Sequence, residues 1–180
     1  MEFGDRNRFG VNLDLNEDYG GVWLFGKICY WICGNMVGNY DVEDTFIQDL
    51  KKLLLPDGKL NKVEVARRQW QVSCIDDKAL FGEDSRRLAR AFRSQGNSSF
   101  HVARVHDILS EKQPFIVYVF EASERGVEMF QGERFYSINL EDCLFFNIPV
   151  TCVTFRPGEV DTTIFAGDDA FIGQITGKSR

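Results

Sequence analysis

The sequence lacks the features that would place a chain of 180 residues in a membrane, a secretory compartment or a disulfide-stabilised class. No apolar run approaches the ~18 to 20 residues needed to cross a bilayer. The first residues, Met1 to Arg6, lack the basic-then-apolar layout of a signal peptide. The cysteines are odd in number and have no C-x-x-C spacing, which disfavours a disulfide framework and a zinc ribbon. They are Cys29, Cys33, Cys74, Cys143 and Cys152. We therefore expect a cytoplasmic protein with reduced, mostly buried thiols.

The common catalytic signatures are also missing. The sequence contains no H-E-x-x-H, G-x-S-x-G or G-x-x-x-x-G-K-[ST] pattern. Its two histidines, His101 and His106, are five positions apart, so on one strand they would point to opposite faces and could not share a metal ion. We predict no catalytic residue, no metal and no cofactor.

Two arrangements keep an enzymatic alternative open. Cys143 or Cys152 could meet His106 in space as a thiol–imidazole pair. Both cysteines lie in apolar runs with acidic neighbours, however, which favours buried and unreactive thiols. Three pairs of adjacent acids could hold a divalent ion or act as acid and base: Asp76-Asp77, Glu141-Asp142 and Asp168-Asp169. None lies in a D-x-D-x-D-G calcium loop, so surface charge is the favoured interpretation.

The composition is that of a globular domain. Hydrophobic residues make up 44% of the chain, including 16 Phe and 3 Trp, and charged residues make up 27%. This is ample to close a core, and the length suits one domain. No linker forces a boundary, so we expect a single domain over residues 1–180.

The first forty residues alternate or concentrate hydrophobic residues in the manner of strands. Residues 9–15 alternate with a period of two, which predicts a half-buried strand. Residues 22–32 are apolar on both faces apart from Gly26 and Lys27, which predicts one central strand. Gly34-Asn35 suits a tight turn, with a return strand over residues 36–40.

Two helices are predicted from apolar stripes and capping residues. Asp41 is a good N-cap, and Pro56 ends the first helix. The apolar face of that helix consists of Phe46, Ile47, Leu50, Leu53 and Leu54. Residues 84–94 predict a second helix that ends near Gly96. Its stripe is Leu88, Ala91 and Phe92, and its solvated face carries Arg86, Arg87, Arg90 and Arg93. Part of residues 62–75 is predicted to be a strand.

The second half is predicted to be rich in strands. Short turn signals separate runs at residues 100–105, 115–122, 127–130, 135–140 and 145–155. Such spacing favours an antiparallel meander. The predicted fold class is α+β, with a mostly antiparallel sheet and two or three helices packed on it.

One segment carries a family resemblance. Residues 26–40 read G-K-I-C-Y-W-I-x-G-x-x-V-G-x-Y, followed by an acidic helix start and F-I-x-x-L at residues 46–50. This pattern resembles bacterial immunity proteins of polymorphic toxin systems, closest to the immunity protein 42 family, over roughly residues 20–55. The resemblance implies a small cytoplasmic protein that binds and neutralises a cognate toxin C-terminal domain and has no catalytic activity of its own.

The charge distribution predicts a partner-binding face in the second half. Residues 1–96 carry 14 basic and 15 acidic side chains, whereas residues 97–180 carry 7 and 12. A continuous acidic surface would repel nucleic acid and attract a basic protein, such as a nuclease toxin. The predicted binding residues are Glu141, Asp142, Glu159, Asp161, Asp168 and Asp169, with Phe165 and Phe171 as apolar anchors.

The same residues allow other interpretations. The acids could form an ordinary solvated surface, and residues 165–173 could be a plain turn before a last strand. A small hydrolase without a recognised motif, or an adaptor domain for an unrelated protein, are the other function classes. No membrane or nucleic-acid partner is expected.

Overall fold

The computed structural model describes residues 22–25, 28–32, 45–77, 79–110, 115–133 and 140–178. Eight strands and six helices lie within this part of the chain. The strands are β1 (Val22–Phe25), β2 (Ile28–Ile32), β3 (Gln71–Ile75), β4 (Ser99–Arg104), β5 (Phe115–Glu121), β6 (Cys143–Phe146), β7 (Cys152–Arg156) and β8 (Thr163–Gly167). The helices are α1 (Thr45–Lys52), α2 (Lys62–Arg67), α3 (Glu83–Ser94), α4 (Val105–Leu109), α5 (Glu124–Glu133) and α6 (Asp169–Thr176).

The strands form one sheet in the order β1-β2-β5-β4-β6-β7-β8-β3. All neighbouring strands are antiparallel except β2 and β5, which run parallel. The predicted α+β class with a mostly antiparallel sheet is confirmed. The described helices outnumber the predicted two or three. None of the described helices is long and apolar enough to cross a membrane.

Helices cover both faces of the sheet. Side chains alternate along each strand, so Phe100 and Val102 of β4 belong to one core cluster and Ala103 belongs to the other. The Phe100 cluster includes buried residues of α3, α5 and α6. The Ala103 cluster includes buried residues of α1, α2 and α4. The sheet therefore separates two apolar layers.

The two predicted helices are present. The five predicted core residues around α1, from Phe46 to Leu54, are all at most 6% exposed. Helix α1 ends at Lys52, and Leu54 forms an isolated bridge with Leu60 beyond it. Helix α3 buries its predicted stripe. Gly96, the glycine predicted to end this helix, has a φ of 78°, which glycine adopts readily.

Residues 22–32 form a hairpin and not the single central strand that was predicted. Phe25 pairs with Ile28, so only two residues separate the strands. A two-residue connection that begins with glycine is typical of tight hairpins. In the sequence, the apolar residues on both sides hid the boundary between the two strands.

As predicted, part of the stretch from residue 62 to 75 is a strand. Its first half is α2, because the side chain of Asn61 caps the helix by accepting hydrogen bonds from the backbone N–H groups of Val63 and Glu64. The second half is β3.

Two further predictions in the second half are wrong, and one of the alternative interpretations is excluded. Residues 127–130 lie in α5 and not in a strand. The predicted strand over residues 145–155 is two strands, β6 and β7, joined through the cis peptide bond Ile148-Pro149. Residues 165–173 cross from β8 into α6, so no turn to a last strand exists there.

Some predictions lie outside the described residues. They are the strand over residues 9–15, the turn at Gly34-Asn35, the return strand over residues 36–40, the cap at Asp41, the strand over residues 135–140 except for its last residue, and the burial of Cys33.

Candidate partner-binding surface

Strand direction divides the predicted acidic residues between the two ends of the sheet. Cys143 at the start of β6 pairs with Arg156 at the end of β7, and Thr163 at the start of β8 pairs with Ile75 at the end of β3. The loops next to these four positions therefore meet at one end. We call this the acidic end and define it by Asp76, Asp77, Glu141, Asp142, Glu159 and Asp161.

Asp168 and Asp169 lie at the opposite end. They follow Gly167, which pairs with Cys152 at the start of β7. The length of β8, about 13 Å at ~3.3 Å per residue, separates them from the acidic end. The eight predicted residues therefore do not form one continuous surface.

Hydrogen bonds fix the loops of the acidic end to one another. The backbone N–H of Gly158 donates to Asp142 Oδ1 at 2.6 Å, and the N–H of Val105 donates to the carbonyl of Asp142 at 2.8 Å. A Cβ on Gly158 would lie 2.7 Å from the carbonyl oxygen of Leu140, so the loops approach too closely for any other residue there. The hydroxyl of Thr163 donates to the carbonyl of Asp77 at 2.8 Å. The acids are thus held on a preformed surface.

Most of these carboxylates are exposed, and few cations of the described residues lie near them. Asp76, Glu159 and Asp161 are exposed and make no ion pair with a cation of the described residues. Arg104 lies 3.5 Å from Glu141 but makes its shorter contact, 2.6 Å, with Asp107. The acidic end therefore presents net negative charge to solvent.

Beneath this end lies a buried cation. Arg156 is 3% exposed and its guanidinium lies 5.3 Å and 5.7 Å from the ring centres of Phe130 and Phe145. Burial lowers the pKa of Arg156, and the nearby Asp77 carboxylate partly offsets this effect. Arg156 therefore offsets part of the charge of Asp77 from beneath the surface.

Two exposed apolar side chains accompany the acids, and sequence reasoning did not single them out. Leu140 is 56% exposed and Val160 is 52% exposed. Val160 stands between Glu159 and Asp161, and Leu140 precedes Glu141. The sequence signal that could have identified them was a large apolar residue beside acids in a loop.

Phe165 and Phe171, predicted as apolar anchors, are core residues. They are 2% and 0% exposed, and Phe171 packs edge-on against Phe92 at 5.6 Å between ring centres. Neither can reach a partner in this fold. Their strand and helix place them between the sheet and α3, so the expected exposed loop does not exist.

Asp168 and Asp169 are exposed, but both have structural contacts. Asp168 is the N-cap of α6, and its Oδ1 accepts hydrogen bonds from the N–H of Phe171 at 2.8 Å and from the Gln95 side chain at 2.9 Å. Asp169 accepts a hydrogen bond from the Gln71 side chain. These contacts explain the acid pair without a partner.

Among the described residues, neither Cys143 nor Cys152 forms a thiol–imidazole pair with His106. Cys143 and Cys152 are buried in the cluster of α3, α5 and α6, whereas His106 is exposed on α4, which packs against the opposite face. Burial raises the pKa of the Cys152 thiol, which donates to Asn147 Oδ1 at 3.4 Å. Cys74, in contrast to the expected burial, is exposed.

The other histidine, His101, is a core residue. His101 is 3% exposed, stacks on Phe146 with ring centres 5.5 Å apart, and burial lowers its pKa to about 4. It therefore stays neutral near pH 7. Within the described residues, no three side chains of His, Cys, Asp or Glu come together in a way that could hold a metal ion.

Comparison with known families defines the class of protein. A sequence model described as Immunity protein 42 matches residues 1–164. The class is therefore that of immunity proteins, whose partners are toxins. Because the match covers most of the 180 residues, the chain belongs to the immunity protein 42 family. The match ends within β8, so α6 lies beyond it. No curated protein sequence and no solved structure matches the chain at a significant level.

Proposed function

We propose that this protein neutralises a cognate bacterial toxin domain by covering its basic, active-site-bearing face with the acidic end of the sheet. The observation that carries the proposal is the group of exposed carboxylates around Leu140 and Val160. Interfaces commonly place apolar side chains at their centre and charged residues at the rim. Of the predicted binding residues, the proposal keeps Glu141, Asp142, Glu159 and Asp161 and adds Asp76 and Asp77.

Charge explains how such a surface would act. A toxin that cleaves nucleic acid needs a basic active-site face to hold phosphates, and a negative surface is attracted to that face over several ångströms. Complementary charge speeds association, and contact then excludes the substrate. We therefore propose a nuclease as the toxin activity, with no catalytic step performed by this protein. It would act in the cytoplasm, in competition between bacteria of the contact-dependent inhibition type.

The first experiment is calorimetry, at two salt concentrations, with the C-terminal domain encoded by the gene immediately upstream. Tight binding that weakens as salt rises is the expected result, because salt screens the attraction between exposed charges. Absence of binding to that folded domain would contradict the proposed function.

Charge reversal locates the surface. Glu159→Lys/Asp161→Lys is expected to slow association about tenfold and to reduce its salt dependence, since electrostatic steering acts mainly on the association rate. The matched control is Glu121→Lys/Glu124→Lys, which makes the same change of charge next to the opposite end of the sheet, where Glu121 is exposed and Glu124 is half-buried. Equal association rates for the two variants, measured by stopped-flow fluorescence, would rule out the acidic end as the binding surface.

A further inference from the structure

Within the described residues, strand β3 forms one edge of the sheet. It is the last strand in the sheet order, and among the described residues it pairs only with β8. In an antiparallel pair, alternate residues direct their N–H and C=O groups away from the neighbouring strand. As far as the described residues go, part of the β3 backbone is therefore available to a further strand.

This edge lacks the usual features that prevent pairing. Natural edge strands are often protected by charged residues, proline or a bulge. The segment Gln71–Ile75 reads Q-V-S-C-I, with no charge and no proline, in a chain that is 27% charged. Its five residues pair with β8 in continuous register. Val72 is 54% exposed and Cys74 is also exposed.

Charge near the open edge favours a basic partner strand. Ile75 leads directly into Asp76-Asp77, and the loop that carries Glu159 and Asp161 precedes β8, the strand beside β3. A strand that lies along β3 would therefore end against these carboxylates. A second copy of this chain, paired antiparallel through its own β3, would bring Arg67 and Arg68 toward these carboxylates. Both arginines already bind Glu64.

We propose that the toxin domain binds by adding an extended segment to the β3 edge, with lysine or arginine at the end of that segment facing Asp76, Asp77, Glu159 and Asp161. The inference rests on the proposed function, since it names how the toxin engages the acidic end. Backbone hydrogen bonds give such strand addition its affinity, and the flanking side chains give it specificity.

Amide hydrogen exchange in the complex with the upstream-encoded C-terminal domain tests this binding mode. Outward-pointing amides of residues 71–75 should exchange freely in the unbound protein and at least about tenfold more slowly in the complex, because a partner strand would occupy them. A complex that forms without new protection in this segment would overturn the inference and leave the proposed function intact. Failure to form any complex would reject both.

A lysine substitution provides a second readout. Val72→Lys places a charge on the edge strand at an exposed position, and it should raise the Kd for the toxin domain about tenfold. The matched control is Val63→Lys on α2, where the side chain is 79% exposed, and its Kd should change less than about twofold. Equal effects of both variants would overturn the inference, because added charge alone would then explain the loss.

Sedimentation velocity of the protein without toxin completes the test. Concentration-dependent dimers that Val72→Lys abolishes would assign the edge to a second copy and overturn the inference. A monomer at all concentrations supports an edge kept for the toxin.

Discussion

Glu64 is a nearly buried carboxylate held by two arginines. Its side chain is 9% exposed and binds Arg67 at 2.7 Å and Arg68 at 2.8 Å. Arg68, which is 14% exposed, also donates to the carbonyl of Val150 and lies over Trp70. The carboxylate therefore organises the contact between α2 and the loop joining β6 and β7.

Glu64→Gln should lower the free energy of unfolding by about 1–3 kcal/mol at pH 7, because it leaves the partly buried Arg68 without its charged partner. Hydrogen bonds from Arg67 and Arg68 hold the pKa of Glu64 at about 2, against an ordinary value of 4.5. The stabilisation is present above pH 4.5 and is lost as the pH falls from 4.5 to about 2. Urea unfolding at pH 7 and at pH 3 measures both effects.

The control is Glu83→Gln on α3. Glu83 is 50% exposed and contacts Arg86, Arg87 and Arg90 in solvent. Exposed ion pairs contribute little, so this variant should lose less stability than Glu64→Gln at pH 7. Equal losses would show that burial does not distinguish the two carboxylates.

For single residues, the sequence predicted burial correctly where a local pattern determines it. Phe46, Ile47 and Leu50 are buried as predicted, because helical spacing alone places them on one apolar face. Phe165 and Phe171 were predicted to be exposed, because their burial depends on α3 packing over the sheet, a contact between residues distant in sequence. Leu140 and Val160 were missed although a local signal, an apolar residue beside acids in a loop, was present.

Two glycines in α5 show how an element is fitted to its neighbour. A Cβ on Gly126 would lie 2.0 Å from the carbonyl oxygen of Glu121 at the end of β5, whereas a Cβ on Gly132 would meet nothing within 4 Å. The turn from β5 into α5 therefore requires glycine at position 126. These glycines also explain why residues 127–130 were predicted to be a strand, since each resembled a turn signal.

Gly126→Ala should lower the free energy of unfolding by about 2 kcal/mol or more, because backbone atoms cannot move aside cheaply. Gly132→Ala should be neutral or raise it by about 0.5–1 kcal/mol, because alanine favours the helix. Thermal unfolding followed by circular dichroism compares the two. A Gly126→Ala variant as stable as Gly132→Ala would contradict the close approach of α5 to β5.

The elements missed from sequence have local or topological causes. Asn61 caps α2, a signal present in the sequence but outweighed by the alternating valines at positions 63 and 65. The division of residues 145–155 into β6 and β7 is marked by Pro149 within an otherwise apolar run. Strand order could not be predicted, because the parallel pairing of β2 with β5 joins segments more than eighty residues apart.

For the whole molecule, the sheet joins two apolar layers and sets the place of the charged residues. Topology places Glu159 and Asp161 together with Asp76 and Asp77 although more than eighty residues separate them in sequence. The asymmetry of charge between the halves of the chain therefore identified an acidic protein but not its acidic surface. The β3 edge and the acidic end are adjacent for the same topological reason.

The last prediction tests whether residues 1–180 behave as one domain. Leu50 on α1 and Leu88 on α3 are both 0% exposed and lie on opposite faces of the sheet. Leu50→Ala and Leu88→Ala should each lower the free energy of unfolding by about 2–5 kcal/mol. Since strands such as β4 contribute side chains to both layers, each variant should shift the same single transition, seen alike by circular dichroism and tryptophan fluorescence. Separate transitions, each moved by only one variant, would mean that the two layers unfold independently and that the sheet does not couple them.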